Sequence, residues 1–172
     1  MITVAILTVS DSTVAGTRED RSGPALAQRC RELGWTVVAQ KAVPDDVAAI
    51  AGALQEWADS SAASLILTTG GTGVAPRDVT PEATKGVLDR ELPGMAELMR
   101  IRGLEQTRFS VLSRAIVGVC RRTLIVNLPG SPTGALHSFC VIEDLVPHVV
   151  DLLNGRTEHG NETQNVTEAS QR

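Results

Sequence analysis

The run Thr68-Thr-Gly-Gly-Thr-Gly-Val-Ala-Pro-Arg-Asp-Val-Thr-Pro81 is the part of the chain best suited to chemistry. An apolar stretch leads into it, glycines fill its middle, and Thr80-Pro81-Glu82 opens a helix behind it. Glycines allow positive φ and close backbone approach, so the N–H groups of Gly70, Gly71, Thr72 and Gly73 can converge on one anion. Thr72 adds a hydroxyl, and a helix capped by Thr80 adds a positive dipole end. That is phosphate chemistry. The run lacks the Gly-Lys-Ser/Thr ending of a P-loop and the GxGxxG spacing of a dinucleotide site. The same glycines therefore also suit a tight connection. Asp78 lies inside the run. A carboxylate beside phosphates needs a cation between them, and Mg²⁺ binds through one or two carboxylates plus substrate phosphates. The other reading is that Asp78 caps the loop backbone or pairs with Arg77.

Further candidates lie elsewhere. Asp45 and Asp46 follow Pro44 at a helix start. At least one serves as N-cap, and the other can face the site as a second Mg²⁺ or nucleotide contact. Spacing does not choose between them. Ser113-Arg114 opens a strand candidate, and Arg114 offers a planar fork for phosphate or carboxylate. Arg121-Arg122 reads as a solvated pair at a hairpin-like turn. His137, His148 and His159 have no metal-ligand spacing. Cys30, Cys120 and Cys140 form no CxxC pair, which points away from disulfides and zinc and towards a reducing compartment. All three are expected as small buried hydrophobes.

These residues need elements to position them. Ile2–Val9 is almost continuously apolar and β-branched, as a strand buried on both faces should be. A polar loop over residues 10–23 follows, then a helix from Pro24 to Leu33, with Ser22 or Gly23 as its cap. Trp35–Val43 and Leu65–Thr68 read as further strands. Between them a helix presents Val47, Ile50, Ala51 and Leu54 on one face. The helix after Thr80 breaks at Pro93-Gly94, and another runs to about Arg102. Ser113–Val119 and Leu124–Asn127 are strand candidates, and Asn127–Pro132 is a turn. A last helical stretch near 133–153 carries Phe139, Ile142, Val146, Val149 and Leu153 on one face, with Pro147 kinking or splitting it. Strands alternating with helices predict an α/β fold, a mostly parallel sheet covered on both faces. Ligands of such sheets bind at the carboxyl ends of the strands. Three loops leave there: Ser10-Asp11-Ser12, Gly70–Gly73 and the Asn127–Pro132 turn.

The chain has 172 residues, 42% hydrophobic and 21% charged, which suits one domain over residues 1–154 and a polar, mobile tail over 155–172. A net charge of −4 and only four aromatic residues (two Trp, two Phe) point away from nucleic acid as the partner. The N-terminus lacks a basic leader and no apolar run approaches a membrane span. A cytoplasmic protein with no membrane partner is expected.

The blocks Gly70-Gly-Thr-Gly73 and Arg77-Asp-Val-Thr-Pro-Glu-Ala-Thr84 resemble the molybdopterin adenylyltransferases, the MogA type and the gephyrin-like G domains. The resemblance extends to Val9-Ser-Asp-Ser12, Asp20-Arg-Ser-Gly-Pro24, Val43-Pro-Asp-Asp46, Leu112-Ser-Arg-Ala115 and Thr123-Leu-Ile-Val-Asn-Leu-Pro-Gly130, over about residues 3–153. It implies a three-layer α/β/α molybdopterin-binding fold and a homotrimer. It implies that molybdopterin reacts with Mg-ATP to give adenylylated molybdopterin and pyrophosphate, ahead of molybdate insertion by a partner enzyme. The family's two important aspartates fall on Asp45 and Asp78, which would be the catalytic, Mg²⁺-holding pair. Substrate contacts fall on Ser10, Asp11, Gly70, Gly71, Thr72, Gly73, Thr80, Ser113, Arg114, Pro129, Gly130 and Ser131. Relatives with reduced or altered activity differ after the glycines, whereas this chain keeps Arg77-Asp78-Val79-Thr80. It departs from the family at Cys120-Arg121-Arg122, where a small residue is usual. The competing reading is a molybdopterin-binding carrier or assembly module without adenylyl transfer.

Overall fold

The computed structural model describes residues 1–156. The expected tail and His159 lie outside the described residues, apart from Gly155 and Arg156. Six strands form one sheet in the order β2-β1-β3-β6-β5-β4. They are β1 (Thr3–Val9), β2 (Thr36–Val43), β3 (Leu65–Thr69), β4 (Arg90–Glu91), β5 (Val117–Cys120) and β6 (Thr123–Leu128). The helices are α1 (Asp11–Val14), α2 (Ser22–Glu32), α3 (Val47–Asp59), α4 (Thr80–Lys85), α5 (Pro93–Gly103), α6 (Pro132–Cys140) and α7 (Val146–Leu153), with a 3₁₀ turn at Arg108–Leu112.

Side-chain alternation divides the core in two. Val4, Ile6, Leu65, Leu67, Leu124, Val126 and Leu128 face α2, α5, α6 and α7. Ala5, Leu7, Val9, Ile66 and Ile125 face α3 and α4. Both faces of β1, β3 and β6 are therefore buried, which is why their sequences are largely apolar and carry no charged residue. Each fully buried Leu, Ile or Phe contributes about 1.5–3 kcal/mol. The result is the three-layer α/β/α arrangement.

Strands β2, β1, β3 and β6 are mutually parallel. β5 runs antiparallel to β6, and β4 to β5. The chain leaves β1 for β2 on one side, while β3 pairs on the other. The strand order thus reverses between β1 and β3, and a crevice opens there beyond their carboxyl ends.

Several local expectations are corrected. Residues 11–14 within the expected polar loop form α1, because the Ser10 hydroxyl accepts from the Thr13 amide at 3.2 Å. Ser22 and Gly23 lie inside α2 and do not cap it. Asp20 does that work, accepting from the Gly23 amide at 3.0 Å and from the Thr8 hydroxyl at 2.6 Å. Thr80 is the first residue of α4, not its cap. α4 is short, and the two-residue edge strand β4 separates it from α5. Ser113–Ile116 is irregular, so β5 begins only at Val117. The buried stripe of α3 is Ile50, Ala53, Leu54 and Ala58, while Val47 in its first turn is exposed. The last helical stretch divides at residues 141–145, and Pro147 sits in the first turn of α7. Cys30 and Cys120 are buried, but Cys140 is exposed. It follows Phe139, and a step of about 100° along the helix turns it away from the core that Phe139 fills.

Candidate functional site

The loops leaving β1, β2, β3 and β6 meet at the crevice. The glycine loop after β3 is its centre. Gly70 has φ +106° and Gly71 +64°, backbone conformations that favour glycine. A methyl group on Gly70 would collide with the Val9 carbonyl oxygen, and one on Gly130 would stand 3.2 Å from the Gly70 Cα. The loops after β1 and β6 therefore pack directly on the glycine backbone.

The carbonyls of this loop are all held from behind. The Thr80 hydroxyl donates to the Gly70 oxygen at 2.8 Å, and the Thr80 amide to Gly71 at 3.1 Å. The Arg114 amide donates to the Thr72 oxygen at 2.8 Å, and its Nε to Gly73 at 2.7 Å. The amides of Gly71, Thr72 and Gly73 donate to no group among the described residues. Carbonyls tied back and amides left free make a concave set of donors suited to phosphate oxygens.

Thr80 and Arg114 are thus placed behind the loop. Thr80 is fully buried. The rest of the Arg114 fork is bonded to the Asp78 carbonyl at 2.5 Å and to the Glu82 carboxylate. That guanidinium holds Glu82 below the usual carboxylate range. Asp78 Oδ2 accepts from the Ala75 amide at 2.8 Å and lies over Gly73. It caps the loop, and Arg77 does not pair with it.

Asp45 and Asp46 have separate places. Asp46 is the N-cap of α3, accepting from the Ala49 amide at 2.8 Å. Asp45 turns into the crevice. Its Oδ2 accepts from the Asp11 amide at 2.9 Å, while its own amide donates to Asp11 Oδ1 at 3.0 Å. Its Oδ1 lies 3.2 Å from where a Gly71 Cβ would stand and takes no hydrogen bond among the described residues. Arg77 crosses from the glycine loop to Asp11, with Nε at 3.0 Å and Nη2 at 2.6 Å from Oδ2. This contact, above all, lowers the Asp11 pKa from its ordinary value.

Ser10 stands beside this junction, its hydroxyl committed to α1 and 3.0 Å from Ser12 Oγ. Pro129 is fixed by the Thr69 hydroxyl, which donates to its carbonyl at 2.7 Å. Ser131 caps α6 through the Gly134 amide at 3.2 Å. Ser113 stands further back, and with Pro129, Asn127 and Ala115 it lines a small cavity of about 40 Å³. Asn127 is fully buried and donates to the Thr68 and Thr84 hydroxyls at 3.0 and 2.9 Å, tying β6 to β3 and α4 beneath the loop. A larger open groove of about 520 Å³ between α5 and α6 contains none of these residues.

Sequence reasoning did not foresee Arg77 as the partner of Asp11, because 66 residues separate them. Nor did it foresee the anchor at Asp20. There a signal existed: the spacing from Asp20 to Gly23 is the one by which a capping side chain reaches the third amide onward.

Residues 5–148 match the family described as "Probable molybdopterin binding domain". The chain belongs to this molybdopterin-binding family. The molybdopterin adenylyltransferase of Helicobacter pylori J99 is 37% identical over 163 residues, covering 94% of this chain and 93% of that protein. The molybdenum cofactor synthesis protein cinnamon of Drosophila melanogaster is 42% identical over 153 residues, and there the match spans 26% of the fly protein. The crystal structure of the molybdopterin biosynthesis enzyme MoaB from Thermus thermophilus superposes with a TM-score of 0.85 at 48% identity, covering 90% of this chain and 98% of that one. The Thermus thermophilus structure thus shares this fold along nearly its whole length.

Proposed function

We propose that this chain acts in molybdenum cofactor biosynthesis as a molybdopterin adenylyltransferase, joining molybdopterin to the AMP part of ATP and releasing pyrophosphate. One observation carries the reading: the loop Gly70–Gly73 has its carbonyls tied back, and the amides of Gly71, Thr72 and Gly73 donate to no group among the described residues, with the open oxygen of Asp45 beside them, while the Gly70 amide is held by the Leu128 carbonyl. A full-length relative named molybdopterin adenylyltransferase supports the same activity.

In the reaction an oxygen of the molybdopterin phosphate attacks the α-phosphorus of ATP. The bond from that phosphorus to the bridging oxygen breaks, and its electrons leave with pyrophosphate. A phosphate monoester is already ionised near neutral pH, so no side chain need remove a proton. The chain's work is alignment and neutralisation of charge. The amides of Gly71, Thr72 and Gly73 would bind phosphate oxygens, with Ser10, Asp11, Pro129, Gly130 and Ser131 bordering the substrates and Ser113 standing behind them. Thr80 and Arg114 would act through the loop they brace.

The donor set fits Mg²⁺. Among the described residues no three His, Cys, Asp or Glu side chains group to hold a metal unaided. Mg²⁺ commonly keeps several waters and takes one or two carboxylates plus substrate phosphates. Asp45 would supply one such oxygen and Asp78 a second. When bound, the ion would neutralise phosphate charge.

The exposed apolar side chains of α5 and the following 3₁₀ turn support self-association, and the family resemblance makes the proposed assembly a homotrimer. Ile101, Phe109 and Val111 are more than half exposed there, next to Leu98, Leu104 and Leu112. Three free cysteines suit the cytoplasm. No helix among the described residues is long and apolar enough to cross a membrane. The adenylylated product would pass to a molybdate-insertion enzyme.

The test is pyrophosphate release from Mg-ATP with and without molybdopterin, in wild type, Asp45→Asn and Asp78→Ala. Release that depends on molybdopterin, and falls by about 100-fold or more in each variant, is expected. Molybdopterin binding should survive in both. Tight molybdopterin binding without any release would refute adenylyl transfer and identify a carrier module.

A further inference from the structure

We infer that Arg77 is a positioning residue: acting through Asp11, it fixes where Asp45 stands over the glycine loop. The inference rests on the adenylyltransferase reading for its catalytic consequence, but not for its geometry. Asp11 is a junction with each of its atoms assigned. Oδ2 takes both nitrogens of Arg77, Oδ1 takes the Asp45 amide, and the Asp11 amide returns a bond to Asp45 Oδ2. The loops after β1, β2 and β3 are thereby joined in series. Asp45 has no bond of its own to the glycine loop among the described residues. Its link to that loop runs through Asp11 and Arg77.

Electrostatics makes the same point. Asp11, Asp45 and Asp46 crowd two adjacent corners, and all three favour the charged form of Arg77. Among the described residues, the cations bonded to the glycine loop and to the Asp11–Asp45 junction are Arg77 and Arg114, while Arg100 reaches only the Ser113 and Ala115 carbonyls further back. Arg114 is committed behind the loop. Arg77 is therefore the counter-charge on the open side, which lets two carboxylates stand together before any substrate arrives. The ion pair is exposed, and exposed pairs contribute little to stability. A residue that matters here should affect placement and not folding.

The experiment compares wild type with Arg77→Gln, Arg77→Lys, Asp11→Asn and the double variant Asp11→Asn/Arg77→Gln. The measurements are steady-state pyrophosphate release and residue-resolved amide exchange by NMR in the substrate-free protein. Arg77→Gln should lower kcat by about tenfold or more while KM for ATP stays within about threefold, because misplacement costs rate more than binding. Arg77→Lys should recover part of the loss. Adding Arg77→Gln to Asp11→Asn should cost less than about twofold further, since both act through one contact. The Asp11 and Asp45 amides should exchange faster in Arg77→Gln, with melting close to wild type. Unchanged kcat, a rise confined to KM, or additive losses would overturn the positioning role. If the wild type releases no pyrophosphate, the functional reading fails by itself. The exchange rates then decide, and unchanged protection at Asp11 and Asp45 overturns the inference.

Discussion

Replacing Gly70 by alanine tests whether the site depends on a backbone that only glycine can supply. Gly70 has φ +106°, and an added Cβ would overlap the Val9 carbonyl oxygen, with the Val9 carbonyl carbon at 3.3 Å. The obstacle is backbone of the central strand β1 and cannot rotate away. Overpacking of this kind costs about 1–3 kcal/mol, and a non-glycine residue in such a conformation costs about 1–3 kcal/mol more. The entropy that alanine removes from the unfolded chain offsets about 0.4–1 kcal/mol. The net expectation is destabilisation by about 1–5.6 kcal/mol, against the 5–15 kcal/mol typical of a domain. Gly52→Ala is the control. Gly52 is exposed within α3, and nothing lies within 4 Å of its added Cβ. Alanine there should stabilise by about 0.5–1 kcal/mol. Urea unfolding followed by the fluorescence of Trp35 and Trp57 reads both variants. The two midpoints should move in opposite directions. A Gly70→Ala midpoint equal to wild type would refute the claim that close packing of the loops after β1 and β3 builds the crevice.

Three other outcomes follow from the same structure. Arg77 lowers the Asp11 pKa, so their pairing contributes fully above the unfolded carboxyl pKa and is lost as pH falls through the depressed folded value. Any small difference in melting temperature between wild type and Arg77→Gln should be constant near neutral pH, begin to shrink as pH falls below about 3.8 and vanish only below the depressed folded value; a gap that widens in acid would contradict the pairing. Burial pushes the Cys30 thiol up to about 12 and raises Cys120 and, in part, Cys140 as well, but of the three only Cys140 is exposed to a reagent. A thiol reagent on the folded protein should therefore label Cys140 alone, identified by peptide mass, and labelling at Cys30 before unfolding would contradict the packing of α2. Under the proposed homotrimer, Phe109→Asp should lower the mass read by light scattering towards that of a monomer without lowering helix content; an unchanged mass would remove the α5 and 3₁₀-turn face as the proposed subunit contact.

What was legible in the sequence, and what was not, divides along a physical line. Strands β1, β3 and β6 announce themselves because burial on both faces leaves them largely apolar and free of charged residues. Pro81 and Pro93 mark their helices because a missing N–H costs nothing in a first turn. β4 leaves no such mark: it is two exposed residues, Arg90 and Glu91, made a strand by pairing with β5. The same division runs through the site. Gly70 and Gly71 were readable because a backbone requirement is local. The split between Asp45 and Asp46 was not, because both suit a helix cap and only the meeting of β1 with β2 sends one of them to Asp11.

Arg114 shows the limit most clearly. Its type suggested a phosphate fork, but its chemistry is satisfied by carbonyls. A planar guanidinium that can bind phosphate oxygens can equally gather the Gly73 and Asp78 carbonyls and the Glu82 carboxylate. By doing so it directs the amides of the loop the other way. The positive character the substrates meet at this loop then comes from backbone N–H groups, and the arginine's contribution is to hold them outward. Residue type identified the need for positive charge at the crevice, and only the fold determined which atoms present it.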